Sequence, residues 1–155
     1  MAHITNEGLD EVRSLVDYAV GHGLEGAELL TRRSLEEIAS VYNGIGPDSW
    51  PSWLRSVADC VFAEFRAAAL IHDCQFAWLK DRSRAGFNLA NSVLRRNLLR
   101  ISDIEHGWYS PLRYRRRRQG RRIADACCAF GWPAWLAAGE SLTADEELAE
   151  MRDGE

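Results

Sequence analysis

Residues 65–79 of the chain read FRAAALIHDCQFAWL, and this stretch decides the fold. Apolar side chains recur in it every three or four residues, and the same stripe begins upstream at Leu54. This spacing matches the 3.6-residue turn of an α-helix and not the two-residue period of a strand. The pattern therefore predicts a long helical segment that ends near residue 79, either one bent helix or two in series, with His72 and Asp73 inside it.

The same helical period recurs on both sides of this stretch. It runs through residues 9–19, 35–41, 87–101, and from the arginine-rich segment to residue 130. Ser34 and Glu37 have the spacing of a capping box, which marks the start of a helix. Glycines at positions 21 and 23 mark a helix end. Since no segment shows the alternation of a strand, the chain is predicted to be all-α.

A short polar connection, residues 80–83, separates the two long helices of this pattern. Helices joined by so few residues are expected to pack antiparallel. This arrangement would turn His72 towards the part of the second helix between Asn88 and Asn91.

Length and composition are those of one globular domain. The chain has 155 residues, of which 46% are hydrophobic and 27% charged, which is ordinary for a protein with a buried core. We expect a single helical domain over residues 1–138, with its core in residues 35–101, followed by an acidic tail over residues 139–155. No stretch approaches the roughly 18 apolar residues of a membrane span, so neither a span nor a secretory signal is expected.

Four cysteines stand at positions 60, 74, 127 and 128. Adjacent residues on a helix, as Cys127 and Cys128 are expected to be, point about 100° apart and do not suit a disulfide with each other. No C-x-x-C spacing occurs, which argues against a zinc site. We therefore expect reduced, mostly buried thiols and a cytoplasmic location.

A glycine-broken turn and the His72-Asp73 pair are the candidate chemical groups. The turn reads Tyr42-Asn43-Gly44-Ile45-Gly46-Pro47. Glycines let a backbone bend so that its carbonyl oxygens point inward, and such oxygens bind a hard cation such as Ca²⁺. A neutral imidazole with a pKa of about 6.5 can take a proton from water at neutral pH. Each group also has an ordinary interpretation, because Asn-Gly commonly marks a simple turn and an isolated histidine is often a core residue.

The order of this turn and this pair resembles the calcium loop and catalytic helix of the phospholipase A2 fold. The family's loop is an aromatic residue, a variable residue, glycine, any residue and glycine, and residues 42–46 match it position by position. The resemblance implies that His72 is the general base and that the Gly44 amide and calcium stabilise the oxyanion. It also implies a core of two antiparallel long helices and calcium ligands from the carbonyls of Tyr42, Gly44 and Gly46 and the carboxylate of Asp73.

A second helix of the family supplies an acidic residue that accepts a hydrogen bond from the histidine. Residues 91–98 match that helix, with Asn91 at the acidic position. An asparagine carbonyl can fix the imidazole tautomer, but it has no charge to stabilise an imidazolium. Phe76 also stands where the family usually has tyrosine, which weakens the hydrogen bonding behind His72. Asn88, one turn earlier, is an alternative partner, and both asparagines could instead make surface or interhelical hydrogen bonds.

The chain more specifically resembles small, cysteine-poor phospholipase A2-like proteins encoded by bacteriophages and prophages. This resemblance implies two alternative functions. The first is a calcium-dependent hydrolase that cleaves the sn-2 acyl ester of phospholipids and has a phospholipid or membrane surface as its partner. The second is a catalytically inactive helical protein that binds other phage proteins or belongs to the virion. The corresponding locations are the host cytoplasm, the membrane periphery and the virion.

A block of seven arginines follows the second long helix. Consecutive arginines on a helix project around most of it, and such a block attracts phosphate groups. Anionic lipid headgroups or another protein are the first expected partners, and self-pairing with the acidic tail comes second. A nucleic acid comes third, because no recognisable reading module accompanies the block. Its members are Arg113, Arg115, Arg116, Arg117, Arg118, Arg121 and Arg122.

Overall fold

Helices account for nearly all of the residues that the structure describes. The computed structural model describes residues 6–42 and 63–139, and no strand occurs among them. Two 3-10 helices, Ala27–Arg32 and Ala63–Phe65, precede the second and third α-helices, and residues 132–139 are again helical. The predicted all-α class is confirmed for this part of the chain. The α-helices are α1 (Asn6–Gly21), α2 (Leu35–Val41), α3 (Arg66–Trp78), α4 (Arg84–Glu105) and α5 (Pro111–Phe130).

Helices α3 and α4 lie antiparallel, the arrangement expected from their short connection. At the end far from the connection, His106 Nε2 is 3.2 Å from Glu64 Oε2. Nearer to the connection, His72 on α3 contacts Asn91 on α4. The pair therefore sets His72 against the first half of α4.

The main core joins α1, α2, α3 and α4, and α5 packs along α4 and contributes Ala124 to the same core. A Cβ atom added to Gly120 of α5 would lie 3.0 Å from Leu98 Cβ. Glycine at this position lets the two helices approach closely, which explains a weak helix former inside the arginine block. Buried members of the core include Val12 and Ala19 of α1, Leu70, Ile71 and Cys74 of α3, and Leu94, Leu98 and Ile101 of α4.

A smaller aromatic cluster covers the connection end of the α3–α4 pair. Phe87 and Trp135 are fully buried in it, and Phe76 and Trp132 pack around them. Trp135 meets the Phe76 ring edge-on, with the ring centroids 5.0 Å apart, an arrangement that aromatic quadrupoles favour. The segment 132–139 thus returns to the end of the helix pair that carries His72.

The capping box predicted at the start of α2 and the helix end predicted after α1 both occur in the structure. Ser34 Oγ accepts from the Glu37 backbone N–H at 3.2 Å, and a Glu37 carboxylate oxygen accepts from the Ser34 N–H at 2.8 Å. This reciprocal pair is the predicted capping box. Helix α1 ends at Gly21, as the glycine spacing predicts.

The 3-10 helix Ala27–Arg32 has no comparable signal in the sequence. Gly26, just before it, has a φ of 85°, which favours glycine over any residue with a Cβ. A Cβ added to Gly26 would also lie 3.0 Å from Ile71 Cγ2. The left-handed backbone and the close approach to α3 both require glycine here.

The cysteines in the described residues are free thiols. Cys74 is buried, Cys127 is half-buried and Cys128 is exposed. The expected burial is found for Cys74, whereas Cys128 is exposed at a cleft between α4 and α5.

Several predicted features lie outside the described residues. They are the turn from Asn43 to Pro47, the helix start near Ser49, Cys60, and residues 140–155 of the acidic tail. The division between domain and tail at residue 138 therefore stays a prediction. Across residues 6–42 and 63–139, no helix has both the length and the apolar character needed to cross a bilayer.

Candidate functional site

His72 and Asn91 meet across the α3–α4 interface. His72 Nε2 lies 3.3 Å from Asn91 Oδ1, a long hydrogen bond, and His72 is only 8% exposed. The Asn91 amide nitrogen donates to the Phe87 carbonyl at 2.9 Å. Since this second bond turns the Asn91 oxygen towards the ring, Nε2 of His72 is the donor between the two side chains. Nδ1 then carries the lone pair that a general base needs.

Burial sets the protonation state of His72. The Phe76 ring lies against the imidazole, with the ring centroids 4.3 Å apart. Burial lowers the pKa of His72 from 6.5 to about 4, and the hydrogen bond to Asn91 acts in the opposite direction but is weaker. The imidazole is therefore neutral at pH 7, and it is a weaker base than an exposed histidine.

Arg82 holds the aromatic cluster against the end of α3. Its guanidinium donates to the Phe76 carbonyl at 2.7 Å and lies 4.8 Å from the centroid of the Trp135 ring. Trp135 Nε1 in turn donates to the Arg82 carbonyl at 3.2 Å. Because Phe76 packs on His72, these contacts position the ring behind the imidazole. The only sequence signal for this role of Arg82 is a basic residue just past a helix C-terminus, where it can cap free carbonyls.

Two of the four predicted calcium ligands lie in the described part of the chain. Asp73 is half-buried on α3. Burial and, after it, the charge of Asp73 raise the pKa of Cys127 to about 11. Tyr42 is half-buried at the end of α2, where its backbone N–H closes the last helical turn. The other two predicted ligands, Gly44 and Gly46, lie outside the described residues.

The chemistry of this donor set fits a calcium ion. A carboxylate and backbone carbonyls are hard oxygen ligands, which Ca²⁺ binds at about 2.3–2.6 Å. Among residues 6–42 and 63–139, no three His, Cys, Asp or Glu side chains stand together as a metal-binding group.

Asn91, rather than Asn88, contacts His72. Asn88 is exposed and lines a cleft of about 230 Å³ between α4 and α5. Arg95 and Asp125 form an ion pair at the edge of this cleft, with 2.6 Å between Nη2 and Oδ1. Asn91 lines the cleft but His72 does not, so the cleft is not the approach to the imidazole.

The seven arginines of the basic block form two groups on α5. Arg113 and Arg117 both bind Asp103, at 2.6 and 2.5 Å, and Arg116 Nε lies 3.1 Å from Glu64 Oε1. Within the described residues, the arginines of the block thus pair with Asp103 and Glu64, whereas residues 140–155 of the acidic tail lie outside them. The remaining four are exposed, namely Arg115, Arg118, Arg121 and Arg122.

No protein-family model, no curated protein and no solved structure matches the chain. The resemblance to the phospholipase A2 fold therefore rests on the quoted motifs and not on any relative.

Proposed function

We propose that the chain is a calcium-dependent acyl-ester hydrolase of the phospholipase A2-like type, encoded by a phage or prophage. The observation that supports this proposal is the contact between His72 and Asn91. The resemblance assigns these positions to a general base and to the residue that orients it, and their side chains are 3.3 Å apart. The proposal includes the finer fold, a phospholipase A2-like core in which α3 and α4 are the two long antiparallel helices.

The proposed reaction is attack by water on the sn-2 ester of a phospholipid. His72 Nδ1 takes a proton from the water as the water oxygen attacks the carbonyl carbon, and the imidazolium then gives that proton to the leaving alkoxide. The ester C–O bond breaks, so one water and one phospholipid give a fatty acid and a lysophospholipid. Asn91 accepts from Nε2 throughout and keeps the ring in one orientation.

The oxyanion that forms on the ester oxygen needs positive charge nearby. Calcium, when bound, would supply that charge. The Gly44 amide would donate to the same oxygen. The carbonyls of Tyr42, Gly44 and Gly46 and the carboxylate of Asp73 would hold the ion.

Two features of the site predict slow turnover. Asn91 is neutral, so it does not stabilise the imidazolium by charge. The pKa of His72, lowered to about 4 by burial, makes the imidazole a weak proton acceptor. We therefore expect this hydrolase to be slower than one with a carboxylate at position 91.

A second candidate function is favoured by the burial of His72. The residue is 8% exposed and packs against Phe76, so its imidazole can be an interior hydrogen-bond donor to Asn91 without any chemistry. The chain would then be a catalytically inactive helical protein that binds other phage proteins or belongs to the virion. Only the hydrolase requires water to reach His72 Nδ1.

Calcium is expected to raise the melting temperature of the protein. An ion that binds only the folded state, at ten times its Kd, stabilises that state by about 1.4 kcal/mol. For a domain of this size, such a gain corresponds to about 3–6 °C. The measurement is thermal melting followed by fluorescence during a titration with calcium chloride, with magnesium chloride as the matched ion.

Asp73→Asn is the control variant for this titration. It retains the size of the side chain and removes the charged ligand, so its melting temperature should not respond to calcium. A flat response of the wild-type protein up to millimolar calcium would remove calcium from the proposed function.

A further inference from the structure

We propose that the outer side of α5, together with the aromatic turn before it, docks the protein on an anionic phospholipid surface. If docking brings the protein to its lipid substrate, this inference rests on the proposed hydrolase function. Binding to the membrane surface does not itself depend on hydrolysis. We call the surface the docking face. It comprises Trp108, Tyr109, Tyr114, Arg115, Arg118, Arg121 and Arg122.

The four arginines of the docking face lack an anionic partner in the part of the chain that the structure describes. Among the carboxylates of the described residues, Asp103 and Glu64 are bound by the inward-facing arginines of the block, and Asp125 of α5 itself is bound by Arg95 of α4. The four exposed arginines occupy positions 115, 118, 121 and 122. This spacing places them on one side of the helix, over a length of about 10 Å. Four cationic side chains at this spacing, none of them paired with a carboxylate of residues 6–42 or 63–139, suit a surface that carries many anionic groups.

Exposed aromatic side chains stand at the start of this row. Trp108 is 76% exposed and Tyr109 is 77% exposed. Their rings meet edge to face, with centroids 5.7 Å apart. Tyr114, 67% exposed, continues the aromatic surface onto α5. Tryptophan and tyrosine favour the membrane–water boundary, where the ring meets acyl chains and the polar group stays wet.

The aromatic turn is fixed to the helices beside it. The Ser110 N–H donates to the Gly107 carbonyl at 2.9 Å. Arg113 donates to the Trp108 carbonyl at 3.2 Å and, through Nε, to Asp103 at 2.6 Å. An inward-facing arginine therefore ties the turn to α4. A turn already held in place loses little conformational entropy when it docks.

A lipid surface suits this face better than a nucleic acid does. Large exposed aromatic side chains accompany the charge on the docking face, where Trp108 is 76% and Tyr109 is 77% exposed. Lipid headgroups offer phosphates to the arginines, and the acyl boundary beneath them accepts the apolar groups. A nucleic-acid duplex offers the phosphates but keeps its bases stacked, so it has no apolar layer that accepts the Trp108 ring.

Sedimentation with lipid vesicles tests the docking face. Vesicles of phosphatidylcholine with one third phosphatidylglycerol should bind the wild-type protein, and pure phosphatidylcholine should bind it at least about tenfold more weakly. The variant Arg118→Gln/Arg122→Gln should lose about 20–30-fold in affinity for the anionic vesicles, since each cation near such a surface contributes about fivefold. High salt should weaken wild-type binding by screening the same charges.

Arg13→Gln/Arg32→Gln is the matched control, because it removes the same net charge from exposed positions on α1 and the 3-10 helix Ala27–Arg32. Its affinity for anionic vesicles should change by about twofold at most. Both pairs lie on the surface, so both variants should melt like the wild type. Equal loss of vesicle binding in the two variants would overturn the docking face.

Binding and hydrolysis are separated by the variant His72→Gln. It should bind anionic vesicles as tightly as the wild type, so a failure of the proposed chemistry leaves the docking face intact. Absence of wild-type binding to anionic vesicles would overturn the docking face even if the protein hydrolyses dispersed lipid. Binding to a DNA duplex through Arg118 and Arg122, without vesicle binding, would identify a nucleic acid as the partner and contradict the inference.

Discussion

Replacing His72 with glutamine is expected to reduce acyl release from phospholipid micelles by about 10²–10⁴-fold, the usual contribution of a general base. Glutamine has nearly the volume of histidine and can still donate to Asn91 Oδ1. It has no ring nitrogen that takes up a proton near neutral pH, so only the proposed chemistry is removed. The measurement is release of labelled fatty acid from the sn-2 position at saturating calcium.

His22→Gln is the matched control for this exchange. His22 is exposed at the end of α1 and lies outside the α3–α4 interface. This variant should release fatty acid at the wild-type rate. Equal release by the wild type and His72→Gln would show that His72 is not the base.

The variant Asn91→Asp provides a second test of the proposed site if His72→Gln folds poorly. Its fatty-acid release is measured in the same assay. A carboxylate beside His72 Nε2 raises the pKa of the imidazole and stabilises the imidazolium. Turnover should therefore be preserved or increased. A folded Asn91→Asp protein with much lower turnover than the wild type would contradict the orienting role of Asn91.

Lowering the pH from 6.5 to 4 is expected to reduce the free energy of unfolding by about 3 kcal/mol through His72 alone. Burial lowers the pKa of His72 from 6.5 to about 4 in the folded protein. Between these values the unfolded chain binds a proton that the folded chain does not, so stability falls as the pH falls. Above pH 6.5 the imidazole is neutral in both states, and its contribution to the pH dependence vanishes.

Denaturant unfolding at a series of pH values measures this effect. The carboxylates titrate in both the wild type and His72→Gln, so the difference between the two pH profiles isolates His72. The wild type should lose more stability than the variant as the pH falls. Parallel profiles would mean that His72 takes up its proton in the folded state at an ordinary pKa, which contradicts its burial.

Helix positions could be predicted because they depend on local signals. The capping pair Ser34 and Glu37 starts α2, and the polar connection 80–83 separates α3 from α4. The 3-10 helix Ala27–Arg32 depends instead on the contact of Gly26 with Ile71. Such a contact joins segments that are distant in the chain, and the period of either segment does not reveal it.

The contact between His72 and Asn91 could be predicted from the sequence, but the burial of His72 could not. An antiparallel pair with a short connection brings His72 near Asn91, and the two side chains are in contact. The burial of His72 depends on Phe76, which Trp135 and Arg82 hold in place from two other segments. The lowered pKa of the imidazole could therefore not be read from the His72-Asp73 pair.

The arginine block shows a similar limit. Its spacing alone predicts side chains on most sides of a helix. Which of them face inward is decided by Asp103 and Glu64, contributed by α4 and by the 3-10 helix before α3. Only the folded chain separates the paired arginines from the exposed ones.

Fatty-acid release by the wild-type protein, with calcium and then with a chelator, tests the proposed function most directly. We predict release from the sn-2 position of micellar phospholipid when calcium is present, loss of release when the chelator removes it, and recovery when calcium is added back. Absence of release in every condition, or release that calcium does not affect, would contradict a calcium-dependent hydrolase.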